Sequence, residues 1–361
     1  MKKTSLALII SSLLTLPVFA QETENLQQML SDRNIEGIEK VIATDPKNGE
    51  AYLMAAIYYG MDDKSSGAKK DTQQQVEFLK KSADLGFAEG QLQYGFYLLN
   101  QGQADEGLSY LNASVAQNHV KAMTLLGDLY FAGYQDGSGN SVIQVDADKS
   151  IEYLNQAIAK DSKDARYTLG YLYLDDKLGK QDISKAVELF DANIDYKNQT
   201  GDLSSILALM EIYLANPKIE NAQGKVIDLY YLASLQGYVP SFYPIGMMQK
   251  EGVKGDQLEI AKDLESAFNN LSKAAQAGYL DAMFRIGEMY FKGEGTKQSD
   301  LDAYIWMSIA EELSSSNDKY SETILELIPK KERQVAIDKK NHQRQFFTGA
   351  VEKTADNVEN K

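Results

Sequence analysis

One spaced pattern recurs seven times in the chain and constrains its fold more than any other feature. A small residue is followed five positions later by a second small residue, and three positions after that by an aromatic residue. The second small position holds Ala56, Gly95, Gly127, Gly170, Met210, Gly246 and Gly287. Successive copies lie 39, 32, 43, 40, 36 and 41 residues apart. Repetition at this period predicts a solenoid, in which each repeat packs only against its neighbours.

The third copy shows what one unit is expected to contain. Ala122, Leu126 and Tyr130 are four positions apart and therefore share one face of a predicted helix. Gly133 predicts a turn, and a second amphipathic helix follows over about 149–160. The small residues allow a neighbouring helix to approach closely. Second helices are expected to stop at residues that accept a left-handed cap, namely Gly86, Asn118, Gly237 and Gly278.

These residues carry a family resemblance. The segment Leu280–Gly295 resembles helix A and the turn of a Sel1-like repeat, and Phe268–Gly278 resembles its helix B. The resemblance extends over roughly Asn48–Leu313. It implies an all-α fold, an α/α right-handed superhelical solenoid of Sel1-like, TPR-like helix-turn-helix repeats. The chain departs from the pattern at Met210 for the glycine, at Leu98 and Gln249 for the tyrosine, and at Pro240 and Pro244, which suit a first helical turn better than an interior.

The N-terminus has the pattern of a signal peptide. Lys2 and Lys3 precede an apolar stretch, Leu6–Leu16, that is too short for a comfortable membrane span. We expect cleavage after Ala20 and export to the bacterial periplasm, with an uncleaved anchor as the alternative. The chain has no cysteine, so neither a disulfide nor a lipid-attachment site is expected.

The rest of the chain divides by its patterning. We predict a signal peptide at 1–20, N-terminal capping helices at 21–47, about seven repeats at 48–313, C-terminal capping helices at 314–347 and a disordered tail at 348–361. The tail is polar and aperiodic, which is typical of disorder.

Catalytic residue sets are scarce. The two histidines, His119 and His342, have no metal-type spacing and are interpreted as solvated surface side chains. We therefore predict no enzyme activity, no cofactor and no metal site. The segment Asp136–Asn140 begins a calcium-loop pattern, but Ser141 and Ala147 replace the glycine and glutamate of that pattern. We interpret it as a polar insertion, with calcium binding as the open alternative.

Charge restricts the partners. A net charge of −15 argues against nucleic acid and against general adhesion to anionic lipid. One basic stretch stands out near the C-terminus. It is interpreted as the solvated face of a capping helix, and docking to an acidic partner or headgroup is the alternative. Its basic residues are Lys330, Lys331, Arg333, Lys339, Lys340 and Arg344.

A partner-binding groove is expected on the A helices. Positions three before and one after the motif glycine point away from the packing face by helical geometry. They mix aromatic, methionine and acidic side chains, which suits protein recognition. The candidate groove residues are Asp128, Tyr167, Tyr171, Glu211, Tyr243, Met247 and Glu288.

Two function classes follow. The first is a monomeric, non-enzymatic periplasmic scaffold or adaptor that binds a protein partner in the groove and is not inserted in the membrane after signal cleavage. An immunity protein against a secreted toxin and a regulator of the envelope are forms of it that the sequence does not separate. The second is a cell-wall-associated enzyme or binder, either β-lactamase-like or peptidoglycan-related. Related proteins of that kind pair cysteines in each repeat, which this chain lacks.

Overall fold

A computed structural model describes residues 21–61, 71–314 and 319–347. The predicted signal peptide and disordered tail lie outside the described residues. The described part is mainly helical, and the predicted all-α class is confirmed. Its helices are α1 (Gln21–Ser31), α2 (Ile35–Thr44), α3 (Gly49–Gly60), α4 (Thr72–Asp84), α5 (Ala88–Asn100), α6 (Ala104–Ala116), α7 (Val120–Ala132), α8 (Ala147–Ile158), α9 (Lys163–Leu174), α10 (Ile183–Asp191), α11 (Leu203–Ala215), α12 (Ala222–Leu235), α13 (Val239–Glu251), α14 (Leu264–Gln276), α15 (Leu280–Lys292), α16 (Asp300–Ser314), α17 (Tyr320–Leu327) and α18 (Lys330–Arg344).

Each of the seven motif copies lies in a helix that is followed by a second helix. The odd-numbered helices from α3 to α15 carry the motif and are the A helices, and the even-numbered helices from α4 to α16 are the B helices. Helices α1 and α2 precede these pairs, and α17 and α18 follow them.

The motif glycines allow the A and B helices of one unit to approach closely. A Cβ added at Gly95 in α5 would lie 2.8 Å from the backbone oxygen of Gly107 in α6. A Cβ added at Gly127 in α7 would lie 2.5 Å from the side chain of Leu154 in α8. Backbones this close leave no room for a side chain, which is the physical reason for the small residue.

The predicted helix stops are confirmed in geometry. Gly86, Asn118, Gly237 and Gly278 all have φ between 61° and 97°. The amide of the next residue then bonds back to the last turn, as in the bond from Phe87 N to the oxygen of Ser82 at 3.2 Å. This is the Schellman arrangement, which pairs carbonyls that a helix end leaves open.

Pro244 lies inside α13 rather than in its first turn. Proline has no amide hydrogen, so the carbonyl four residues earlier, that of Pro240, loses its helical donor. Pro240 is exposed in the first turn of the helix. The sequence-based expectation for Pro244 was therefore wrong, and the lost bond falls on an exposed residue of the first turn, where a missing helical bond costs least.

Three short antiparallel hairpins interrupt the helical pattern, and the sequence did not predict them. They are β1 (Tyr134–Gln135) with β2 (Ser141–Ile143), β3 (Ile194–Asp195) with β4 (Thr200–Gly201), and β5 (Val253–Lys254) with β6 (Glu259–Ile260). The registers pair Tyr134 with Ile143, Ile194 with Gly201, and Val253 with Ile260.

The chain forms two compact units, with the division between Leu189 and Phe190. In unit 1 the core consists of successive local clusters, centred for example on Leu53, Leu111 and Leu154. In unit 2 one cluster extends from Phe242 to Phe347. Cores shared between neighbouring helices are what a repeat architecture predicts. Within the described ranges, no helix is long and apolar enough to span a membrane.

Candidate functional site

The predicted groove residues of unit 1 lie on α7 and α9. Asp128 in α7 is half-buried, and its buried Oδ1 atom has no hydrogen-bond partner in the described part of the chain. The pKa of Asp128 is raised to about 6. Burial is the largest cause, the negative charge of Asp164 adds to it, and a hydrogen bond with Thr168 acts in the opposite direction. The carboxylate is therefore held in its charged form at neutral pH at an energetic cost.

Tyr167 and Tyr171 form an aromatic pair one turn apart on α9. Their ring centroids are 4.9 Å apart with an interplanar angle of 65°, an edge-to-face arrangement. Both side chains are half-buried. The rings pack on each other and remain partly accessible, and tyrosine is a residue type that is enriched at protein interfaces.

In unit 2, two of the predicted groove residues, Tyr243 and Glu288, line an open cleft of about 610 Å³. One wall is α15, the other is α17, and Met307 of α16 contributes between them. The lining residues are Tyr243, Asp281, Phe284, Arg285, Glu288, Phe291, Lys292, Met307, Tyr320, Thr323, Ile324 and Leu327. This volume lies within the range of protein ligand sites.

Arg285 joins the two predicted residues. Its Nη1 atom donates to Oε2 of Glu288 at 3.0 Å. Hydrogen bonds to Glu288 and Tyr243 raise the pKa of Arg285, against the effect of burial. Met247 packs against the same core, whereas Glu211 is exposed on α11 and does not line the cleft. Partner binding by all seven predicted residues stays a prediction.

Sequence reasoning missed Arg285, Phe291 and the wall supplied by α17. Arg285 and Phe291 lie three positions on either side of Glu288 and share its helix face, so helical spacing from Glu288 could have found them. No comparable signal marked α17, because its part in the cleft depends on how the C-terminal helices pack.

Equivalent positions in the first two A helices do not form an open surface. Leu53 and Ile57 in α3 are buried, and so are Leu92 and Phe96 in α5. These positions belong to the hydrophobic core of unit 1.

His119 differs from the sequence interpretation. Its Nε2 atom lies 3.2 Å from Oε2 of buried Glu89, which also accepts from Gln93 at 3.0 Å. Burial opposes the charge of Glu89, but the bonds to His119 and Gln93 and the charge of Lys121 outweigh it, and the pKa of Glu89 is lowered. No hydroxyl in the described residues hydrogen-bonds to His119. His342 is exposed, as predicted.

The Asp136 segment forms the turn of the β1–β2 hairpin. Oδ1 of Asp136 accepts from the amides of Ser138 and Asn140 at 2.8 and 2.9 Å, and Oδ2 accepts from the Asn140 side chain. Both carboxylate oxygens therefore have a role in the turn. No group of three acidic, histidine or cysteine side chains suited to a metal ion occurs among the described residues.

Three of the six basic side chains that the sequence singled out in α18 bind to neighbouring helices of the chain itself. Arg333 donates to the backbone oxygens of Ile328 and Glu326 near the end of α17. Lys340 and Arg344 both pair with Glu312 of α16. These contacts favour a capping helix over a basic docking surface.

The family model of the Sel1 repeat matches residues 49–87, 120–162, 163–192, 246–279 and 280–315, together half of the chain. No curated protein matches in sequence. Among solved structures, a protective antigen with an SLR fold from uropathogenic Escherichia coli strains is 18% identical over 92% of this chain and 76% of its own, with a TM-score of 0.39. A Sel1 repeat protein from Oxalobacter formigenes is 19% identical over 89% of this chain and 99% of its own, with a TM-score of 0.41.

Sel1 repeats commonly mediate protein–protein interaction, and scaffold proteins built from them are generally non-enzymatic. The predicted Sel1-like, TPR-like repeat fold is confirmed. Since the family model covers half of the chain in five separate repeats, this protein belongs to the Sel1 repeat family.

Proposed function

We propose that this protein is a non-enzymatic scaffold of the bacterial periplasm that holds a protein partner on the exposed faces of its A helices α13 and α15. The cleft of unit 2 is the observation that carries this proposal. Its walls expose aromatic and aliphatic side chains beside charged ones, and they include Tyr243 and Glu288, two positions that helical spacing predicts to face outward. Interface hot spots have this composition.

The test is a pull-down from cross-linked cell envelopes with matched variants. Leu327 in the cleft and Leu214 on α11 are 56% and 57% exposed, and both lie at the end of a helix. We expect a partner that the wild type and Leu214→Glu retain and that Leu327→Glu loses. Equal recovery with both variants would remove the cleft as the binding site.

The periplasmic location rests on the pattern in residues 1–20. We expect N-terminal sequencing of the protein recovered from a bacterial host to begin at Gln21. Recovery of a chain that begins at Met1 in the membrane fraction would favour the uncleaved anchor.

The immunity form of the proposal predicts that expression of the chain protects cells from a toxin delivered to the periplasm, and an envelope regulator would not protect them.

The alternative to the scaffold is a cell-wall-associated enzyme or binder. The Glu89–His119 pair lacks a hydroxyl nucleophile among the described residues, which favours the scaffold. Hydrolysis of a chromogenic β-lactam or binding to peptidoglycan would favour the enzyme or binder.

A further inference from the structure

The cleft of unit 2 is bounded by two helical stripes. On α15, Asp281, Phe284, Glu288 and Lys292 recur at intervals of three or four residues and so follow one face for about 16 Å. On α17, Tyr320, Thr323, Ile324 and Leu327 follow the same rule. Ridges with this spacing are complementary to the side-chain rows of another helix.

The apolar part of the cleft is open to water. Tyr320 is 62% exposed, Leu327 is 56% exposed and Phe291 is 36% exposed. Displacing water from aromatic and aliphatic walls favours binding of an apolar surface.

Backbone hydrogen bonding decides whether an extended or a helical segment fits the cleft. Both walls are helices, whose backbone groups bond within the helix, so the cleft has no strand edge with which an extended peptide could pair. An extended segment would leave its own amides and carbonyls unpaired against apolar walls, at a cost. A helical segment satisfies these groups internally.

The charges at the two ends of the α15 stripe favour one orientation of a bound helix. Asp281 at its start and Lys292 at its end are exposed and have no ion-pair partner among the described residues. Arg285 and Glu288 between them are paired with each other. A helix is stabilised by acidic residues at its N-terminus and basic residues at its C-terminus. The complementary orientation therefore places its N-terminus at Lys292 and its C-terminus at Asp281.

We propose that the cleft between α15 and α17 binds an amphipathic α-helix of the protein partner, antiparallel to α15, with an acidic N-terminal end at Lys292 and a basic C-terminal end at Asp281. This inference rests on the proposed scaffold function and adds the structural class and polarity of the segment that is bound. The bound helix presents apolar residues at positions i, i+3 or i+4, and i+7 to Phe284, Ile324 and Leu327.

The experiment is selection of binders from a display library of random 16-residue peptides on the purified protein. We expect enriched peptides with apolar residues at helical spacing, with Asp or Glu toward the N-terminus and Lys or Arg toward the C-terminus. Leu327→Glu is expected to weaken their binding by about tenfold or more. The matched Leu214→Glu variant is expected to leave it within about twofold. Tyr320→Asp serves as a second cleft variant if Leu327→Glu lowers the melting temperature.

Polarity is tested by charge exchange. The double variant Asp281→Lys/Lys292→Glu is expected to weaken the selected peptides by about threefold or more and to regain affinity for the same peptides with their terminal charges exchanged. No enrichment, peptides without helical spacing, or equal loss with Leu214→Glu would overturn the helical mode. The scaffold function would still be supported if, in that case, the pull-down recovered a partner whose binding depends on Leu327. The two proposals can therefore be rejected independently.

Discussion

Three carboxylates, two of them buried and one half-buried, show how local partners decide the state of an acidic side chain. Glu89 has bonds to His119 and Gln93, and its pKa is lowered although burial opposes the charge. Asp228 accepts from the amides of Gln257 and Leu258 at 2.6 and 3.1 Å, which ties α12 to the β5–β6 hairpin, but burial still raises its pKa. Asp128 has no ion pair among the described residues, unlike Glu89, and it has the larger upward pKa shift. Of the three, Asp128 is thus the residue whose charge most clearly opposes folding.

We predict that Asp128→Asn stabilises the protein at pH 7.5 by about 2 kcal/mol. The pKa of Asp128 is raised by folding to about 6, so the folded state binds more protons than the unfolded state between about pH 4 and 6. The free energy of unfolding of the wild type therefore falls as the pH rises from about 4 to about 6, and it stays lower by a constant amount above pH 6. The gain from Asn should be present at pH 7.5 and nearly absent at pH 4, as measured by thermal melting followed by circular dichroism.

Glu152→Gln is the control, because Glu152 is exposed on α8 and the change removes the same charge. It should shift the melting temperature little at either pH. An Asp128→Asn variant that is less stable than wild type at pH 7.5, or equally shifted at both values, would contradict the assignment.

At the scale of elements, the same motif glycine meets different neighbours in different repeats. The Cβ of an alanine at position 95 would lie 2.8 Å from a backbone oxygen of α6, which moves only with its helix. At position 287 the neighbour at 2.6 Å is Cγ of Met307, and the nearest backbone atom is at 3.4 Å. A flexible methionine side chain accommodates change more easily than a backbone.

Accordingly, we expect Gly95→Ala to destabilise unit 1 by about 1–3 kcal/mol from overpacking, which outweighs the helix-propensity gain of up to about 1 kcal/mol. Gly287→Ala should destabilise unit 2 less, because the group that must move at position 287 is the Met307 side chain and not a helix backbone. Urea unfolding followed by circular dichroism compares the two variants. Equal destabilisation would show that the backbone contact is not the deciding feature.

A second prediction concerns α18. Phe347, just beyond the end of this helix, is buried, and its ring centroid lies 6.0 Å from that of Trp306 in α16. Phe347→Ala should cost about 3–5 kcal/mol and shift the emission of the single tryptophan to longer wavelength as water reaches its ring. Phe346→Ala is the matched control, since Phe346 is 71% exposed. Unchanged emission in Phe347→Ala would contradict this packing.

At the scale of the whole molecule, the chain consists of two compact units with their own cores and carries a net charge of −15. Excess negative charge keeps molecules apart at neutral pH and disfavours nucleic-acid partners. Such a surface agrees with a scaffold that binds specific protein segments and otherwise avoids association.

Self-association is expected to rise near the isoelectric point of about 4.7, where the repulsion between molecules is lost. Light scattering between pH 4 and 8 should have its maximum there, while circular dichroism at each pH reports whether the helices persist. Flat scattering across pH 4.7 with intact helices would show that charge does not keep the molecules apart.

The sequence was sufficient where the information is local and repeated. Ala122, Leu126 and Tyr130 predicted a helix face, and Gly86 and Asn118 predicted helix ends, because both follow from the spacing and conformational preference of single residues. It failed for the hairpins, since strands of two or three residues are too short to show an alternating pattern. It also misread His119, whose partner Glu89 lies in a different helix.

The sequence by itself determined the repeat period, the helix pairs and the small residues at which helices meet, because these features depend on neighbours along the chain. It also identified Tyr243 and Glu288 as outward-facing. Only the tertiary structure decided that these two residues share a cleft with Arg285, Tyr320 and Leu327, and that Leu53 and Leu92 at equivalent positions are buried. The physical reason is that exposure at an A-helix position depends on which neighbouring helices pack over it, and the repeat pattern of a single helix does not specify that packing.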